Sequence, residues 1–200
     1  FSFKASVRST KGEEMTDAVV TWRVEGETGT IDASGLFKAD KPGDIVVIAS
    51  ADGVSGQAKV SVQPPVVVGL KIEPDKTDAY PGAKVKIALS AVADGDKPAS
   101  YSEVTVSTPT AQAALSTDKA LLDANGKAAL ELTVPEIPGE VIVEASAGEV
   151  KQRLQLLVKP RPVAKLESQP QVLEATVGSQ VSFAIKALAE NDLPAGYNQL

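Results

Sequence analysis

The chain of 200 residues contains no histidine and no cysteine. Without an imidazole there is no histidine general base and no nucleophilic triad built on one. Without a thiol there is no disulfide, no thiolate nucleophile, no Cys/His zinc site and no cysteine-ligated iron–sulfur cluster. Aromatic residues make up 4% of the chain, so its cores must be built from Val, Ile, Leu and Ala. That palette suits the inner faces of β-sandwiches. No apolar run reaches the ~18–20 residues of a membrane-spanning helix. A net charge of −6 argues against a nucleic-acid backbone or an anionic membrane surface as partner. Carboxylate chemistry, serine–lysine chemistry, oxygen-ligand calcium binding, or no chemistry at all remain.

What the chain does have is repetition. Gly43-Asp-Ile-Val-Val-Ile-Ala-Ser-Ala51 returns 96 residues later as Gly139-Glu-Val-Ile-Val-Glu-Ala-Ser-Ala147. Gly82-Ala-Lys-Val85 through Asp96-Lys-Pro98-Ala-Ser-Tyr101 returns, again 96 residues later, as Gly178-Ser-Gln-Val181 through Asp192-Leu-Pro194-Ala-Gly-Tyr197. A third echo links Asp32-Ala-Ser-Gly35 with Asp123-Ala-Asn-Gly126. This period is too long for a solenoid and fits whole domains in tandem. Pro64-Pro65 and Pro160-Arg161-Pro162 mark the joints. They predict a first module at 1–64 lacking its opening strand, a complete module at 65–160, and the N-terminal part of a third at 161–200. Short proline-stiffened linkers predict a semi-rigid series of modules.

Within the modules the pattern is that of strands. Val20, Trp22 and Val24 alternate onto one face, and Ile45 to Ala49 and Val141 to Ala145 are strongly apolar. Val85-Lys-Ile-Ala-Leu89 and Val181-Ser-Phe-Ala-Ile185 place apolar residues two apart. Phe1-Ser-Phe-Lys-Ala-Ser-Val7 also reads as an alternating strand, with an unpaired edge. That edge is expected to pair with residues preceding it in a longer chain, rather than with a strand added from another chain. Thr110-Ala-Gln-Ala-Ala-Leu115 reads as one short helical turn. Asp52-Gly53, Asp94-Gly95, Asn125-Gly126 and Pro138-Gly139 supply turns, as do the Gly26-x-x-Gly29 and Gly53-x-x-Gly56 spacings. The fold class is all-β, a sandwich or barrel.

Val20-Thr-Trp22, Gly29-Thr-Ile-Asp-Ala-Ser-Gly-Leu-Phe-Lys-Ala39 and the strand after Gly43 resemble the tandem bacterial immunoglobulin-like domains, group 2, of surface and secreted proteins. Asp123-Ala-Asn-Gly-Lys-Ala128, followed by Pro138-Gly-Glu-Val-Ile-Val-Glu-Ala145, resembles the invasin/intimin variant. The resemblance implies tandem immunoglobulin-like β-sandwich modules in an extracellular or cell-surface bacterial protein. It implies a structural or spacer role of stalk, adhesin or surface-layer type, and it carries no catalytic residues.

Site candidates are few. Oxygen ligands in Asp94-Gly-Asp96, in Asp118 with Asp123, and in Glu190-Asn-Asp192 could take calcium. The plain alternative is that Asp, Asn and Gly are what turns require. Glu13-Glu14, or Asp75 with Asp78, could serve glycoside hydrolysis, but no aromatic platform surrounds them. Ser9 with Lys11, and Ser116 with Lys119, sit in ordinary polar loops. Tyr101 and Tyr197 recur after Pro-Ala-x and read as residues closing the end of a core. The expectation is a non-enzyme with no cofactor, calcium being the one candidate. Its partner would be a protein or cell surface, or a second copy in a filament or lattice, and not a nucleic acid or a membrane interior. The alternative is an accessory or carbohydrate-binding part of a secreted enzyme.

Overall fold

The computed structural model describes residues 1–169 and 174–196. Its strands are β1 (Thr21–Glu25), β2 (Gly29–Ile31), β3 (Phe37–Ala39), β4 (Gly43–Ala51), β5 (Val54–Val62), β6 (Gly69–Pro74), β7 (Asp78–Ala79), β8 (Lys84–Ala93) and β9 (Lys97–Pro98). Then come β10 (Glu103–Ser107), β11 (Ala114–Leu115), β12 (Lys119–Leu121), β13 (Lys127–Thr133), β14 (Gly139–Ala147), β15 (Val150–Val158), β16 (Lys165–Gln169) and β17 (Ala184–Leu188). Among the described residues the only helical segments are 3-10 turns at Asp94–Asp96 and Glu190–Asp192, and no helix is long and apolar enough to cross a membrane. The fold is all-β.

The chain gathers into two compact units. One comprises Phe1–Gly69, Ala91–Ser102 and Leu121–Lys127; the other comprises Leu70–Ser90, Glu103–Ala120 and Ala128–Leu200. In the first, β4 lies between β1 and β5, and β2 pairs β3 as a separate ribbon. Phe37, Ile45 and Val47 form its buried core, with Phe3, Trp22, Val24, Ile31, Val60 and Val62 packed against them. Trp22 and Val24 are half-buried on β1 while Thr21, Arg23 and Glu25 are exposed, as a period of two requires.

The second unit holds most of two five-stranded sheets, in the orders β12-β10-β14-β15-β7 and β11-β13-β8-β6. Every second residue of β8 is buried, among them Val85, Ile87 and Leu89, and so are Leu130 and Leu132 of β13. Val104 and Val106 of β10, Val141, Val143 and Ala145 of β14, and Leu156 and Val158 of β15 are buried in the other sheet. One buried face on each sheet makes a sandwich with an aliphatic core. β7 joins β15 in parallel, with Asp78 opposite Leu157 and Ala79 opposite Val158. β16 and β17 form a two-stranded sheet.

The 96-residue repeat is a repeat of hydrogen bonds as well as letters. In the β4–β5 hairpin Gly43 faces Val62 and Ala51 faces Val54; in β14–β15 Gly139 faces Val158 and Ala147 faces Val150. Val68 N–H donates to Val92 O, and Ala164 N–H donates to Leu188 O, both at 2.9 and 2.8 Å respectively. Ala99 N–H donates to Ala91 O as Ala195 N–H does to Ala187 O. The two 3-10 turns correspond as well, with positive φ at Gly95 and Asp96 and again at Asn191 and Asp192.

Four local expectations need correction. Residues 1–7 form no continuous strand: Phe1 exchanges hydrogen bonds with Phe37, Ser2 bridges Leu36 and Phe3 N–H donates to Gly35 O, while Val7 O accepts Met15 N–H, so the pairing beside the start of β3 stops after Phe3. The segment 110–115 is a turn leading into β11, which pairs with Thr133 and Leu132. Thr108 Oγ1 donates to Ile142 O, and Ile142 N–H donates to Thr110 Oγ1, so these side chains tie the segment to β14 instead of starting a helix. β17 begins at Ala184, leaving Val181 to Phe183 outside it. Gly29 and Gly56 lie inside β2 and β5, although Gly26 and Gly53 do occupy positive-φ turns. At Gly29 a Cβ would stand 2.1 Å from Lys38 O, so this glycine is required by close backbone approach within the ribbon.

Candidate functional site

The acidic candidates resolve first into turn chemistry. Asp123 Oδ1 accepts the amides of Asn125 and Lys127 at 2.8 and 2.9 Å, Asp123 O accepts Gly126 N–H, and Gly126 has φ +70°. Asp32 repeats the device: its Oδ1 accepts Ser34 N–H, Leu36 N–H and the Ser34 hydroxyl, and Gly35 closes the turn at φ +81°. The Ser34 hydroxyl and the Leu36 amide hold the Asp32 carboxyl below its usual value. The Lys127 amide, with that of Asn125, does the same for Asp123.

Asp94 and Asp96 are exposed in the first 3-10 turn, and Glu190 and Asp192 in the second. Asp118 lies ahead of β12, where its carbonyl accepts Val106 N–H. Among the described residues no three carboxylates gather in a group that would hold a cation.

The other polar candidates are likewise engaged in the framework. Asp75 Oδ1 accepts Lys86 N–H, and Asp78 pairs with Lys159 at 2.7 Å. Glu14 sits at an isolated bridge with Arg8. Ser9 Oγ accepts Lys11 N–H, Ser116 Oγ accepts Glu131 N–H, and Lys119 pairs with Glu103. Tyr101 is partly buried in a turn at φ +60°, its amide directed to Asp123 O. Tyr197 lies outside the described residues.

One feature of the surface was not anticipated. A cleft of about 500 Å³ opens in the first unit, lined by Phe3, Met15, Trp22, Val47, Ala49 and Ala58 among others. It lies over the faces of β1, β4 and β5, and Val47 at its floor is 2% exposed. The alternation that marks Val20 and Trp22 as inward-facing was visible in sequence. That they remain only half-buried, Trp22 beside Phe3 and the Phe37 core with the cleft open next to it, depends on which strands are present to form a second layer.

No model of a known protein family matches the chain. Intimin of Escherichia coli O127:H6 (strain E2348/69 / EPEC) is 32% identical over 138 residues, 66% of this chain and 14% of intimin. The chain therefore spans about one seventh of that relative's length. Among solved structures, the adhesin InvE of Yersinia pseudotuberculosis superposes with a TM-score of 0.59 at 19% identity, over 76% of this chain and 52% of that one.

Proposed function

We propose that this chain, whose immunoglobulin-like modules are of the invasin/intimin kind and belong to a cell-surface or extracellular bacterial protein, is a non-catalytic spacer segment of an adhesin-type stalk. The observation that carries this reading is the repeat of the β4–β5 hairpin as β14–β15, nine residues per strand in the same register. A segment that repeats backbone geometry while its letters drift between copies is selected for the frame it builds. Asp75, Asp78, Asp123, Ser9, Ser116 and Lys119 support the same reading, since their polar atoms serve turns, strand ends and surface ion pairs. The modules at 1–64, 65–160 and 161–200 would space or position a site that meets a protein or another cell surface.

A stalk carries load, and force spectroscopy tests that property. With the chain held at its two ends, the expected trace contains a discrete unfolding event that releases about 30 nm, the extended length of one 96-residue period. Smooth extension with no such event would sink the spacer reading.

The second reading, an accessory carbohydrate-binding segment, is favoured by the cleft, because Trp22 and Phe3 both line it. The chain has one tryptophan, so its emission reports on this cleft alone. A saturable change in that emission with any member of a polysaccharide panel would select this reading, and no change across the panel would remove it.

A further inference from the structure

In the middle repeat β15 is fully paired on one side and barely paired on the other. β14 matches it from Val150 to Val158, whereas β7 meets it only at Leu157 and Val158. The chain reaches β7 from β6, which belongs to the opposed sheet, so it crosses between sheets and leaves the rest of the edge bare. Among the described residues no strand lies beside Val150 to Leu156, about 20 Å of edge at the rise of a strand. Backbone groups alternate between the two sides of a strand. Lys159 N–H donates to Ala79 O on the β7 side, so the backbone groups of Lys151, Arg153 and Gln155 also point to that side.

The side chains on this edge are not those of the repeated frame. Residues 43–62 and 139–158 match without a gap, and Lys151 and Arg153 stand where the earlier hairpin has Ser55 and Gln57. Both cations are exposed, and neither makes an ion pair among the described residues. On the outer face of the sheet Ser146 stands opposite Lys151, and Glu144 stands opposite Arg153. With Ser107 they line an open depression of about 600 Å³, where two hydroxyls accompany the two cations. A strand added to this edge would lie about 5 Å from β15 and about 10 Å from β14, so Lys151 and Arg153 outweigh Glu144 in the charge it meets. Glu149, in the hairpin turn, borders one end of the edge, and Lys76, in the crossing segment, borders the other.

Charges on an edge also decide what cannot bind there. Antiparallel pairing of two β15 edges centred on Arg153 would set Arg153 against Arg153, which like-charge repulsion opposes. The same strand of a second copy is therefore a poor occupant, and a segment of opposite charge is a good one. We infer that the free edge of β15 accepts an extended acidic segment of a partner protein as an added strand. Its backbone pairs with Lys151, Arg153 and Gln155, and carboxylates at alternate positions meet Lys151 and Arg153 on the outer face. The side chains between them fall on the inner side, beside half-buried Val150 and Leu154, and are apolar. This goes beyond the spacer reading, since the middle repeat then holds a partner as well as setting a distance.

Amide hydrogen exchange of the whole chain, read by NMR with and without a blocked peptide of alternating Glu and Val, tests this. In the free chain the amides of Lys151, Arg153 and Gln155 should exchange fast, while those of Gln152, Leu154 and Leu156, turned to β14, are protected. Millimolar peptide should slow the first three by about tenfold or more. A peptide of alternating Lys and Val should leave them unchanged. K151E/R153E alters two exposed side chains, so it should fold, and it should exchange its preference for the Glu–Val peptide for the Lys–Val one. Protection of the three amides in the free chain overturns the inference, as does equal slowing by both peptides or none by either. Heparin tests the other acidic occupant, a polysaccharide. Resonance shifts at Lys151 and Arg153 with heparin, and no amide protection with the Glu–Val peptide, would overturn strand addition in favour of a glycan.

Discussion

At the scale of single residues, the two aspartate turns are where sequence and physics agree most closely. Asp-x-x-Gly was legible because each letter has a local cause: a carboxylate short enough to reach amides two and four residues ahead, and a glycine able to take positive φ. Both Asp32 and Asp123 have carboxyls held below their ordinary value by donors that exist in the folded turn. A carboxylate with a depressed folded pKa contributes stability that is complete above its unfolded value of about 3.9 and is lost as pH falls through the folded value. Carboxyl-detected NMR should therefore place both midpoints below 3.8, the ordinary value for the group. D123N should melt below the unaltered chain at neutral pH, and the gap should close on acidification; a gap independent of pH would show that the charge contributes nothing. The glycine of the same turn gives a steric prediction. At Gly126 a Cβ would stand 2.6 Å from Ala91 O, while at Gly148, also at positive φ, nothing lies within 4 Å. Denaturant unfolding should assign G126A a loss of about 3 kcal/mol, strain plus backbone displacement, and G148A about 1 kcal/mol.

At the scale of elements, strand faces were readable and strand partners were not. The period-two pattern placed Trp22 with Val24, and Val85 with Ile87 and Leu89, on inward faces, because alternation is a property of one strand alone. Residues 1–7 alternate equally well, yet pair only over Phe1 to Phe3 with residues 35–37, since the length of a pairing depends on a neighbour that no local pattern supplies. Residues 110–115 have helix-forming letters, but Thr108 and Thr110 bind the backbone of Ile142, 32 to 34 residues away, and the tertiary contact prevails. The open cleft over Trp22 was missed for the same reason. The contrast between identical patterns in different surroundings can be measured. Leu89 and Ile185 occupy the same repeat position, one buried and one 51% exposed. At a concentration low enough to exclude association, L89A should cost about 3 kcal/mol through the lost contacts and the cavity left behind. I185A should cost less than about 1 kcal/mol. Equal losses would mean that Ile185 is buried within a single chain.

At the scale of the whole molecule, the lack of histidine and cysteine leaves carboxylates as the available hard ligands, and the question is whether any set of them converges. The chain has 26 acidic residues and a net charge of −6, so weak calcium attraction to its surface is expected from charge alone. A built site is different: it needs six to eight oxygens at fixed distances, several from carboxylates. Asp123 already gives one oxygen to two amides, Asp94 with Asp96 and Glu190 with Asp192 are exposed pairs, and no group of three acidic side chains meets among the described residues. The magnitudes separate the two cases. One extracellular-type site with Kd of about 0.1–1 mM, in about 10 mM calcium, would stabilise the fold by roughly 1.4–2.7 kcal/mol, raising Tm by several degrees. Surface attraction would be matched by magnesium or by sodium at equal ionic strength. The expected outcome is a Tm that is the same in calcium, magnesium and chelator once ionic strength is matched. A saturable rise specific to calcium, abolished by D96N or D192N, would restore the turn carboxylates as ligands and place a metal at the repeated 3-10 turns.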